Sequence, residues 1–218
     1  MKGLIRNNFY TVEGSLKLTI LIGFIGMIIV PFIARSFPNS NILLTGMISG
    51  LLGAFGALSG TSIQKDGTSK WSKFELTLPI SRKDVIKARY LSFLLYTFIG
   101  LIMAILSALL FNAIVGSINL DRLAYGFIFG IAFAMSIPTF MTPLVLIFGT
   151  DKNETLLMIS IFISLGLFIG TSLILSPFLS DSSNADSLFR VGYLIFSILL
   201  YTSSYMLSVF LYQRKEIQ

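Results

Sequence analysis

Six apolar runs, at about 18–34, 42–63, 90–112, 123–148, 155–178 and 191–212, are joined by short polar stretches. Each reaches or nearly reaches the roughly 20 residues that an α-helix needs to cross about 30 Å of hydrocarbon. No Asp, Glu, Lys or Arg lies within 42–63, 91–120 or 155–180. The runs are continuous, whereas barrel strands would alternate apolar and polar positions. The pattern predicts an all-α integral membrane protein, a single transmembrane domain of six helices over residues 1–218. The first run starts after Glu13 and Lys17 and five more follow it, so it reads as a retained span and not as a cleaved leader. No internal repeat is evident.

Composition strengthens this picture. Hydrophobic residues make up 55% of the chain and charged residues 12%, and the mean hydropathy is +0.86. Soluble domains carry about 25% charged residues. Cys and His are both absent, which removes disulfides, zinc ligation and thiol or imidazole catalysis. The net charge of +6 is unevenly placed. With both termini on one face, that face holds thirteen of the sixteen Lys and Arg residues. They are Lys2, Arg6, Lys17, seven between Lys65 and Arg89, Lys152, Arg214 and Lys215. Only Arg35, Arg122 and Arg190 fall on the other face. By the positive-inside rule both termini and the loops 64–89 and 149–154 are cytoplasmic. Topology therefore accounts for the basic charge, and no nucleic-acid partner is called for.

Local signals support the boundaries. Ser81-Arg82-Lys83-Asp84 resembles a capping box ahead of the third helix, and Asp151-Lys152-Asn153-Glu154 does the same ahead of the fifth. The stretch SPFLSDSSNADSLFR, 176–190, reads as an external loop with room for a short lipid-surface segment. In residues 2–17, KGLIRNNFYTVEGSLK, the wheel puts Leu4, Ile5, Phe9, Val12 and Leu16 on one side and Arg6, Asn7, Glu13 and Lys17 on the other. Asn8 intrudes on the apolar side. This predicts an interfacial helix over 1–17, with a simple anchor for the first span as the plainer reading.

Three further features are candidates for function. In the central loop, 64–84, Trp71, Phe74 and Leu78 are spaced i, i+3, i+7, so a short helix over 68–78 presents one apolar stripe. Lys70, Lys73 and Thr77 face away from it, Pro79 ends the helix and Ser81 starts the next. The segment reads either as a docking elbow or as an interface-anchored loop. In the second span Gly46, Gly50, Gly53, Gly56 and Gly60 form a stripe without side chains, which serves helix packing or lines a path. The fourth span carries Pro138 and Pro143, each removing a backbone donor, which predicts a static kink or a hinge. Ser136, Thr139 and Thr142 are the neighbouring hydroxyls expected to satisfy the freed carbonyls.

Missing chemistry narrows the function further. The spans offer no ionisable group for coupling to an ion gradient, and no base or metal set for proteolysis. No Gly-Lys pair exists, so there is no phosphate-binding loop of that type. Active transport by this chain would draw its energy from a cytoplasmic partner.

The phrase Phe74-Glu75-x-Thr77-Leu78-Pro79-Ile80-Ser81-Arg82-Lys83-Asp84, followed by Ala88-Arg89-Tyr90-Leu91, resembles the signature of type-2 ATP-binding-cassette (ABC) export permeases. The likeness is greatest to their small six-helix bacterial branch, whose members carry Lys where this chain has Arg89. The resemblance implies a half-transporter in a bacterial plasma membrane. Two permease chains, identical or related, pair, and each docks a separate ATPase subunit that holds ATP and Mg, so this chain has no cofactor or metal of its own. It also implies a coupling helix at about Gly67–Leu78, joined to span three at Pro79–Asp84. There Trp71, Phe74 and Leu78 form the wedge into the ATPase, with Lys70, Lys73, Glu75 and Arg82 at its rim. The dimer seam and substrate path implied by the family use spans two and five, which points to the Gly46–Gly60 stripe and to Gly166 and Gly170. A nearly uncharged path suits hydrophobic or amphipathic cargo, membrane-active peptides among it. The rivals are a non-transporting immunity or sensor protein for peptides, and a passive channel.

Overall fold

The computed structural model describes residues 2–37, 39–68, 81–116, 118–150, 152–179 and 185–214. They form six helices: α1 (Lys2–Ala34), α2 (Ser40–Thr68), α3 (Arg82–Val115), α4 (Leu120–Phe148), α5 (Asn153–Leu179) and α6 (Ala185–Arg214). All six are long and apolar enough to cross a membrane, and no strand occurs among the described residues. The chain is thus a multi-pass membrane protein.

α2 and α4 form the centre of the bundle, and their sequences show why. α4 presents Gly126, Gly130 and Ala134 at four-residue intervals, a row of small residues on one helix face. A Cβ added at Gly130 would lie 3.1 Å from the Ser49 Cα, and one at Gly126 would lie 3.3 Å from the Thr45 Cα. From the other side, a Cβ at Gly56 would sit 2.7 Å from the Ala134 Cα and carbonyl oxygen. The backbones therefore approach as closely as two helices can. Leu44, Ile48, Leu52 and Phe55 fill the flanks of this contact. α1 and α5 lie at the periphery, with Leu21, Ile25, Ile29, Phe32, Phe162 and Ile174 among the side chains left to lipid.

Polar ties close one end of the bundle and an apolar cluster the other. At one end Arg35 donates two hydrogen bonds to the Ile114 carbonyl at the end of α3, at 2.7 and 2.9 Å. Arg190 donates to the Asp121 carbonyl at 2.9 Å, and Asn41 accepts from the Asn119 N–H at 3.0 Å. Gly116, at φ 78°, ends α3 in the left-handed region that glycine occupies without strain. The opposite end gathers the start of α1, the end of α2, the start of α3 and the end of α6, where Leu4, Val85, Ile86 and Tyr212 share one cluster.

The structure shortens one expected loop and shows how residues 2–17 meet the first span. α1 is one 33-residue helix, about 50 Å long at 1.5 Å per residue, so residues 2–17 continue into that span without a break. No proline interrupts this half. Leu4, Asn8 and Val12 are buried, and the intrusive Asn8 donates to Ser92 Oγ at 3.0 Å. Arg6, Tyr10, Glu13 and Lys17 pair with one another on the outer face. The external loop expected over 176–190 shrinks, because α5 runs to Leu179 and α6 starts at Ala185. The coupling helix expected over 68–78 lies almost wholly outside the described residues.

The α2–α4 contact yields a stability ranking. Gly56→Val is expected to cost about 3 kcal/mol or more, because backbone cannot yield as a side-chain tip can. Gly26→Val, where nothing lies within 4 Å of the added Cβ, leaves the melting temperature of the detergent-purified protein unchanged. Thermal unfolding of the two variants side by side checks the order.

Candidate functional site

The polar chemistry of the molecule concentrates where α2 leaves for residues 69–80 and α3 returns from them. Ser81 is the N-cap of α3: its backbone is extended (φ −68°, ψ 140°) and its Oγ accepts from the Asp84 N–H at 3.2 Å. The same hydroxyl donates to Asp84 Oδ2 at 2.7 Å. The cap therefore forms as the spacing predicts, with the Asp84 carboxylate locked onto the hydroxyl. Arg82 bends back to α6, where its Nη1 donates to the Gln213 carbonyl at 2.9 Å and to that of Tyr212 at 3.4 Å. A cation on the last carbonyls of a helix is favoured by the helix dipole as well as by the hydrogen bonds.

Two turns further in, Arg89 Nη2 meets Asp66 Oδ2 at 3.2 Å. Their side chains are 10% and 6% exposed, so this pair joins α2 to α3 out of contact with water. A buried pair gains little over an apolar one, but removal of a single partner strands the other charge. Neither residue stands out as an ion-pair partner in the sequence, although Asp66 is the first acid beyond span two and Arg89 the last cation before span three.

From this base, contacts reach every remaining helix. Toward α5, Asn153 Nδ2 donates to the Gly60 carbonyl at 3.1 Å and Gln64 Nε2 to Glu154 Oε1 at 3.0 Å. Toward α1, Tyr96 OH donates to the Asn8 carbonyl at 2.9 Å. Toward α6, Tyr90 OH lies 2.7 Å from Ser204 Oγ and 2.9 Å from Ser208 Oγ, while Tyr201 OH donates to the Tyr90 carbonyl at 2.7 Å. These α6 residues belong to a stripe, Tyr193, Ser197, Tyr201, Ser204, Ser208 and Tyr212, spaced by three or four and buried throughout. That period was a readable signal for a polar packing face in lipid.

The two prolines of α4 connect to the same network. The helix is continuous through both. Pro138 frees the Ala134 carbonyl and Pro143 frees that of Thr139, four residues upstream in each case. The nearby hydroxyls do not take them: Ser136 bonds the Phe133 carbonyl, Thr139 that of Met135 and Thr142 that of Pro138. The freed carbonyls look outward instead. Ser204 Oγ donates to the Thr139 carbonyl at 2.6 Å, and the Ala134 carbonyl abuts Gly56. Ser204 of α6, and not a hydroxyl of α4, takes the Thr139 carbonyl, while the Ala134 carbonyl packs on the backbone of Gly56.

The glycine stripe of α2 divides in two. Gly53 is covered by the Phe133 ring, Gly56 by the Ala134 backbone, and Gly60 by Leu157 and Met141. Gly46 and Gly50 meet nothing within 4 Å, nor do Gly166 and Gly170 of α5. Phe168, between the last two, turns the other way and packs on Phe129 at 4.2 Å and Tyr193 at 5.2 Å between ring centres. Of the other predicted residues, Lys70, Trp71, Lys73, Phe74, Glu75, Leu78 and Pro79 lie outside the described residues. Among the described residues no cluster of acidic side chains could hold a metal ion.

The Asp66–Arg89 pair supplies a double-mutant test. Asp66→Leu alone is expected to destabilise the protein by about 3–5 kcal/mol, and adding Arg89→Met to recover most of that loss. The readout is thermal unfolding of the purified chains.

The family model described as "ABC-2 family transporter protein" matches residues 3–213. No match to the chain was found among the curated proteins or among the solved structures.

Proposed function

The chain belongs to the ABC-2 transporter family, and on that premise we propose that it is the permease half of an ATP-driven exporter. A second permease chain, identical or related, pairs with it, and separate ATPase subunits bind ATP and Mg. The observation behind this reading is the bonded base of residues 69–80. Ser81, Arg82, Asp66 and Arg89 tie the two ends of that segment to α2, α3 and α6. A push on the segment is thereby delivered to the bundle instead of being lost in a slack loop.

The excess of Lys and Arg lies at the end that gathers the termini, which supports a cytoplasmic location for both termini and for residues 69–80. There Trp71, Phe74 and Leu78 are the wedge into the ATPase, with Lys70, Lys73 and Glu75 at its rim and Pro79 stiffening the junction. Arg82, tied to α6, transmits more than it docks. The uncovered glycines Gly46, Gly50, Gly166 and Gly170 are the proposed seam with the second permease chain. Pro138 and Pro143 mark where α4 could flex as the seam opens.

Hydrophobic or amphipathic molecules are the proposed cargo. The length and the opening MKGLIRNNFY are similar to membrane subunits of the phenol-soluble modulin exporter, which favours membrane-active peptides.

Two measurements test this reading. Phe74→Ala is expected to weaken ATPase pull-down about 30-fold, the factor for a hot-spot loss of about 2 kcal/mol. Lys73→Ala changes chiefly the association rate and its salt dependence. In proteoliposomes with the ATPase, amphipathic peptides are expected to stimulate ATP hydrolysis several-fold. An ATPase that neither co-purifies nor responds to peptide overturns the exporter reading and leaves a sensor, immunity protein or channel.

A further inference from the structure

A groove of about 360 Å³ runs between α3 and α6, away from the uncovered glycines. Its floor is Tyr90, Met135 and Tyr201, its lips are Leu91 and Leu94 on one side and Ile198 on the other, and Lys87 stands at its mouth. The lips are about two-fifths exposed, so the groove opens sideways to lipid. Of the four hydroxyls at the groove three are already spent, Tyr90 on Ser204 and Ser208, Tyr201 on the Tyr90 carbonyl and Thr202 on the Ile198 and Leu199 carbonyls, and the fourth belongs to Tyr205. An occupant therefore meets hydrocarbon along the groove and a cation at its end.

That cation is uncommitted. Lys87 and Lys83 are exposed, one turn apart on α3, and neither has a hydrogen-bond or ion-pair partner among the described residues. The neighbouring Asp84 carboxylate is held by Ser81. From Lys87 to Leu94 the groove extends about 10 Å into the span at 1.5 Å per residue. This arrangement of apolar trough and basic mouth on the termini side is complementary to a phospholipid with a negative headgroup.

We propose that this groove is a binding site for one anionic phospholipid of the leaflet on the termini side. The headgroup sits against Lys87 and Lys83, and an acyl chain lies along Leu91, Leu94 and Ile198. Since Tyr90 forms the floor and bonds to α6, a seated lipid clamps α3 to α6 beside Arg89 and Arg82. The lipid thereby stabilises the base of residues 69–80. The proposal requires only that the chain spans a membrane, not that it exports.

Native mass spectrometry of the full-length chain, titrated with phosphatidylglycerol or phosphatidylcholine, tests it. Wild type is expected to retain one phosphatidylglycerol in preference to phosphatidylcholine. Lys87→Gln should lower that retention about five-fold, and Leu94→Trp, which fills the trough, should abolish it. Lys152→Gln, an exposed lysine at the same end but outside the groove, should leave it unchanged. An unchanged elution profile and thermal transition for Lys87→Gln exclude misfolding as the cause. Equal retention of the two lipids overturns the proposal, and so does equal loss in Lys87→Gln and Lys152→Gln, which would mean a diffuse surface field. Displacement of the lipid by an amphipathic peptide would assign the groove to cargo. Loss of a permease dimer in Leu94→Trp would assign it to a second chain.

Discussion

The close approach of α2 to α4 is the constraint on which the rest of the structure depends. In lipid, apolar side chains gain nothing by leaving one hydrocarbon surface for another, so helices associate through backbone proximity and polar contacts. Gly56 against Ala134, and Gly130 against Ser49, supply that proximity. The contact also covers a carbonyl that the fourth span leaves without its helical donor. Pro138 deprives the Ala134 carbonyl of its helical donor, and the carbonyl faces the bare backbone of Gly56, with no side chain wedged between them. A larger residue at either place would separate the two helices and leave the carbonyl facing hydrocarbon.

Around this centre the other helices are attached by polar groups, as membrane packing requires. α6 presents its serines and tyrosines inward, and Ser204 serves both Tyr90 of α3 and the Thr139 carbonyl freed by Pro143. One hydroxyl thus joins three helices. The polar groups become denser toward the end that holds the termini, where the Asp66–Arg89 pair is buried between α2 and α3. A charge buried there stays only because its partner is fixed by the helices behind it. The pair therefore reports the relative position of α2 and α3, and resists any change in it.

That coupling gives the family membership physical content. On the exporter reading proposed above, work reaches the bundle from a partner, through a segment whose ends are bonded to the bundle. Residues 69–80 are such a segment, with the Ser81 cap and the Arg82 bonds on one side and the Asp66–Arg89 pair behind both. The groove at Lys87 lies two residues from Arg89, so the proposed lipid site and the proposed coupling base share one stretch of α3.

Hydrophobic length and the distribution of Lys and Arg determined the six helices and the clustering of charge toward one end. Both are properties of single segments in a slab of hydrocarbon, and neither needs a neighbour. The Ser81 cap was legible for the same reason, since it closes within four residues. The tertiary structure decided everything that depends on which face meets which helix. It split the glycine stripe into a covered half at Gly53, Gly56 and Gly60 and an open half at Gly46 and Gly50. It joined residues 2–17 to the first span, because Asn8 finds Ser92 eighty-four positions away. It gave the proline carbonyls to α2 and α6, although hydroxyls lay closer along the chain. A uniformly apolar helix has no preferred face in its own sequence; only the small and polar groups of its neighbours assign one.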